Sequence, residues 1–103
     1  MTIHAIEIRI GPETETGQGW SYEITVSWPS GAESAHEVTL SWSDHDLISG
    51  GLHPPSQTVD AALRLAASIG EAVFGAGGWP ARFDVATLRR RIDRFDERVR
   101  ERL

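Results

Sequence analysis

The chain has 103 residues, 40% of them hydrophobic, four tryptophans and a formal net charge of −5. That suffices for one small domain with a buried core, and it excludes a disordered chain. With no cysteine, disulfides and thiol chemistry are excluded too, which suits a reducing compartment.

All basic side chains other than histidine are arginine, a usage typical of GC-rich bacterial coding sequences. The opening Met-Thr-Ile-His-Ala-Ile has no basic-then-apolar leader pattern. No apolar run approaches the ~20 residues that span a bilayer. A cytoplasmic protein without membrane contact is expected. Charge is unevenly placed. Residues 1–81 carry ten acids against Arg9 and Arg64, a net −8, whereas residues 82–103 carry eight arginines against five acids, a net +3.

Thr2 to Ile10 alternates, with His4, Ile6, Ile8 and Ile10 on one side and Glu7 and Arg9 on the other. This predicts a half-buried strand. Gly11 to Gly19 is turn-forming and lacks apolar residues, so a long hairpin loop is expected there. Trp20, Tyr22, Ile24, Val26 and Trp28 alternate with Ser21, Glu23, Thr25 and Ser27, a second strand. After a Pro29-Ser30-Gly31 turn, His36, Val38, Leu40 and Trp42 form the inward side of a third. Three strands with short links predict an antiparallel meander, apolar on one face and polar on the other. Its topology brings His4, Trp28 and His36 to one end. A His4–His36 metal pair is one reading, and histidines at the rim of a core are the commoner one.

Residues Trp42 to Ser56 divide the chain. Ser43 can cap a helix whose first turn holds Asp44 and Asp46. Leu47 and Ile48 are its expected buried side, and Gly50-Gly51 ends it. Pro54-Pro55 then bends the chain, with Ser56 as the next cap. Asp44, His45, Asp46 and His53 could also supply carboxylates and imidazoles to a divalent ion or to acid–base chemistry. Capping already accounts for both acids, and the histidines lack zinc-type spacing. The structural reading is preferred. No catalytic residue and no cofactor is assigned.

Gln57 to Phe74 has helical periodicity through Val59, Ala62, Leu63, Ala66, Ile69 and Val73, with Gly70 a weak point. Gly75 to Pro80 is a loop without the Lys-Ser/Thr of a phosphate-binding loop. Asp84 is the expected cap of a last helix. There Val85, Leu88, Ile92, Phe95 and Val99 recur at a 3-4-3-4 spacing. Such a narrow seam suits docking of a partner helix, so Leu88, Ile92, Phe95 and Val99, flanked by Arg91 and Arg98, are the candidate partner-binding residues. Arg90–Asp93, Arg94–Glu97, Asp96–Arg100 and Arg98–Glu101 are expected ion pairs. Arg82, Arg89, Arg90, Arg94 and Arg98 are candidates for phosphate contact. However, consecutive arginines splay around a helix and the interleaved acids oppose them, so nucleic-acid binding is disfavoured.

The runs V-T-L-S-W-S-D-H-D-L-I-S-G-G, H-P-P-S-Q-T-V-D-A-A and A-R-F-D-V-A-T-L-R-R-R-I, within residues 36–92, resemble a small bacterial family of similar length without an assigned activity. The resemblance implies a strand leading into a short capped helix and a glycine pair, then a proline-started helix and one beginning Arg-Phe-Asp. It implies no catalytic residues.

The expected fold is α+β in a single domain of residues 1–103. Residues 1–42 form the meander, 43–56 the short capped helix and its Gly/Pro linker, and 57–103 the helical part. A short helix and two longer helices cover one face of the sheet. The expected function is a non-enzymatic interaction or regulatory protein, acting on a protein partner or on itself as a homodimer. The alternatives are a metal-binding or hydrolytic protein using Asp44, His45, Asp46 and His53, and nucleic-acid binding through the arginine-rich last helix.

Overall fold

The computed structural model describes residues 6–103. It is an α+β fold whose sheet carries its helices on one face. Strands β1 (Glu7–Glu15), β2 (Gly19–Ser27) and β3 (Glu33–Ser41) form the antiparallel meander in sequence order. Ile8, Tyr22, Ile24, Val26, Val38 and Leu40 are buried on its inner face. The period-2 alternation is what places them there. His4 lies outside the described residues, and with it the His4–His36 pairing.

The expected loop from Gly11 is largely strand. Ile10 pairs with Ile24, but Glu13 pairs with Tyr22, so β1 carries one extra residue at a bulge. Beyond it, Thr14 and Glu15 continue the ladder. This is an edge strand past the core, so it needs no apolar side chains. The Tyr22 hydroxyl donates to Glu13 Oε1 at 2.5 Å. Burial first, then the bond to the Glu13 carboxylate and its charge, push that hydroxyl well above the usual tyrosine range. Turning falls to residues 16–18, where Thr16 Oγ1 accepts from the backbone N–H groups of Gln18 and Gly19. A Cβ on Gly19 would sit 2.1 Å from the Leu40 carbonyl oxygen, so only glycine lets β2 approach β3 at that point.

A fourth strand was not expected. β4 (Arg82–Asp84) pairs parallel to β3, Val38 against Phe83, so the sheet is mixed, in the order β1-β2-β3-β4. Three residues are too short to display alternation. The Glu37 N–H donates to Ala81 O, and His36 Nδ1 donates to Pro80 O at 2.6 Å. Both bonds pin the segment that enters β4.

Helices α1 (Trp42–Ser49), α2 (Pro55–Ile69) and α3 (Glu71–Phe74) cross between β3 and β4. Pro54 occupies the cap of α2 and Pro55 its first position, so the helix starts two residues before the expected Ser56 cap. The long second helix ends at Gly70, whose φ of 85° and ψ of −141° are open to glycine. The last helix is also two. α4 (Val85–Arg91) stops where Ile92 becomes extended, and α5 (Phe95–Arg100) restarts after Arg94, a non-glycine residue at φ 54°. The apolar spacing runs straight through this break, which is why it reads as one helix. Bending there carries Phe95 and Val99 into the core beside Leu88 and Ile92. All four expected docking residues are buried in the chain's own interior. Among the described residues, no helix is long and apolar enough to cross a membrane.

Candidate functional site

The cap of α1 is Ser41, not Ser43. Its Oγ accepts from the Asp44 N–H at 3.0 Å. β3 therefore ends one residue before Trp42, and the helical turn swings Trp42 outward rather than into the sheet face. Ser41→Ala is expected to cost about 1 kcal/mol in urea unfolding, whereas Ser43→Ala should change stability by no more than a few tenths.

Asp44 does not reach back to its cap. Its Oδ1 accepts from Arg89 Nη1 at 2.5 Å, and Arg89 Nε donates to Asp96 Oδ1 at 2.9 Å. One guanidinium on α4 thus ties α1 to α5. The Asp44 and Arg89 side chains are 11% and 28% exposed. Burial alone would lower the Arg89 pKa. The hydrogen bonds to Asp44 and Asp96, and their charges, outweigh it and hold the group above the usual arginine range. Arg89 Nη2 is buried without a hydrogen-bond partner among the described residues. The Arg89–Asp96 pair exists because the chain breaks between them. Of the expected pairs along this segment Arg94–Glu97 forms, at 2.6 Å. The other three are not found among the described residues.

The four candidate metal or acid–base residues do not converge. Asp44 faces Arg89, and Asp46 is exposed. His45 Nε2 donates to the His53 carbonyl oxygen at 2.6 Å, not to its ring. The His45 ring also meets Trp20 edge-on at 5.2 Å. Among the described residues, no three His, Asp or Glu side chains are grouped to hold a metal ion.

His36 is buried, as expected from its place in β3. Trp28 Nε1 donates to Ser34 Oγ at 2.7 Å. Because His36 Nδ1 donates to Pro80 O, its Nε2 is the acceptor for the Ser34 hydroxyl, at 2.7 Å. This relay satisfies every polar group in it.

The arginines named for phosphate contact are mostly engaged within the chain. Arg82 pairs with Glu37 at 3.1 Å, Arg89 with Asp44 and Asp96, and Arg94 with Glu97. Arg90 donates to Thr87 Oγ1 and Arg98 to the Asp93 carbonyl. Arg91 donates to the Val73 carbonyl and lies 5.3 Å from the centre of the Phe74 ring.

The unpartnered apolar surface lies elsewhere. Trp42, Leu47 and Leu52 are 54%, 56% and 85% exposed, the large hydrophobic side chains most open to solvent among the described residues. All three belong to α1 and the turn after it. Trp42, Ser43, Asp46 and Leu47 form the outer stripe of the helix, and Asp44, Ile48 and Ser49 form the inner one. Neighbouring residues on a helix differ by ~100°, and on α1 the buried side turns through Ile48 and Ser49, which leaves Leu47 on the solvent side. Arg100 Nη1 donates to the Leu47 carbonyl at 3.1 Å, which sets a cation beside the stripe. Sequence reasoning missed this surface because Trp42 continues the strand alternation without a fault. No family model, curated protein or solved structure matches the chain.

Proposed function

We propose that this is a non-enzymatic interaction protein, cytoplasmic as its cysteine-free composition suits, that self-associates through the outer stripe of α1. The observation that carries this reading is the gathering of Trp42, Leu47 and Leu52 on one short helix and its turn, while the C-terminal seam is buried. An exposed apolar group of this kind marks an association surface, and tryptophan is a frequent anchor in such surfaces.

A second copy of the chain is the occupant that the charges favour. Asp46 lies on the stripe and Arg100 beside it, and neither is ion-paired among the described residues. A two-fold interface sets the same patch against itself. It would bring Asp46 of one copy toward Arg100 of the other, around an apolar centre of Trp42 and Leu47.

Leu47→Glu tests this. Leu47 is exposed, so the variant should fold with unchanged circular dichroism. Light scattering after size exclusion should then give a dimer for the wild type and a monomer for the variant. A variant that stays dimeric would remove α1 as the interface.

A further inference from the structure

We propose that the cavity between Trp28, Phe74 and Trp79 binds a methylated ammonium ion. Its volume is about 300 Å³, at the small end of ligand pockets. The Trp28 and Trp79 rings stand at 90° with centroids 5.3 Å apart, and Phe74 leans on Trp79 at 6.4 Å. The rest of the lining is Ile6, Ala67 and the glycine-rich segment around α3, and Glu71 is the one charged residue in it among the described residues.

Three features select the ligand class. First, indole faces carry a negative quadrupole and attract cations, above all weakly hydrated ones. Second, the only charge in the lining among the described residues is a carboxylate. It opposes an anion and pairs with a cation. A metal ion would need several oxygen ligands, and among the described residues Glu71 is the one carboxylate in the lining. Third, the rings are held in place before any ligand arrives. Trp28 Nε1 is tied to Ser34 Oγ, and Trp79 packs against His36 at 5.6 Å and Phe83 at 5.8 Å. Preorganised rings lose little freedom on binding. Phe74 already has Arg91 at its ring, and Arg91 is not part of the lining. Trp28, whose one ring neighbour among the described residues is Trp79, therefore keeps the freest face for a ligand, with the more closely packed Trp79 beside it.

The side-chain N–H signals of the four tryptophans offer a direct test. Choline is titrated into the full-length protein and followed by heteronuclear NMR. The expected result is saturable movement of the Trp28 and Trp79 indole signals, with Trp20 and Trp42 still. The neutral isostere 3,3-dimethylbutan-1-ol should bind about tenfold more weakly. Glu71 is exposed, so Glu71→Gln should fold and should weaken choline several-fold while leaving the alcohol unchanged. A peptide carrying trimethyl-lysine, titrated in parallel, separates a protein-borne source of the cation from a free solute, according to which binds tighter. No saturable shift with either cation, or equal affinity for choline and the alcohol, overturns the proposal.

Discussion

Leu88→Ala should lower the unfolding free energy by about 3 kcal/mol, within the roughly 2–5 kcal/mol typical of buried leucine truncations. Leu88 is fully buried on α4, which packs against β3 and α2. Truncation leaves a void where helices meet sheet, and the break at Ile92–Arg94 prevents α4 from sliding to fill it. For a domain of this size, whose total stability is on the order of 5–15 kcal/mol, that is a large fraction. Urea unfolding followed by tryptophan fluorescence checks it. The native variant should keep the wild-type oligomeric state. A Leu88→Ala protein with unchanged stability but altered association would instead place the C-terminal seam at an interface.

Arg89→Met should be comparably severe, at about 2–3 kcal/mol. Removing one partner of a buried ion pair costs roughly 3–5 kcal/mol, because a charge is left behind in a poor solvent. The value falls below that range because Arg89 is 28% exposed. Two carboxylates, Asp44 and Asp96, are stranded together in the variant. A second change, Asp44→Asn, removes one of them and should recover about 1 kcal/mol. The double-mutant cycle would then show clear coupling between α1 and α4. Additive losses would mean that Arg89 acts through its aliphatic stem alone.

These two residues also mark what was legible from the sequence. Alternation located β2 and β3, because each has a wet and a dry face and every second residue declares which. It failed for Gly11–Glu15, where the strand runs past the core and its partners are backbone groups. It failed again at Trp42, where a capping serine ends the strand before its apolar pattern ends. Helical spacing found Leu88, Ile92, Phe95 and Val99 as one apolar set, and they are one set in space. Nothing in a 3-4-3-4 pattern shows that the helix breaks within it, since Ile92 and Arg94 are not helix-breaking residues. That break turned an expected docking seam into core, and it made the Arg89–Asp96 pair. Asp44 looked like a capping acid from its position in the first turn. Its real partner is distant in sequence, beyond the reach of any local pattern.

The most direct single measurement is sedimentation equilibrium of the wild-type chain at low salt and in about 1 M salt, where charges are screened beyond roughly 3 Å. Association through Trp42, Leu47 and Leu52 predicts a dimer that persists at high salt, because burial of apolar surface does not depend on ionic strength in that way. A dimer that dissociates as salt rises would mean that charge pairs, not the apolar stripe, hold it together, and a monomer at every concentration would contradict self-association through α1 altogether.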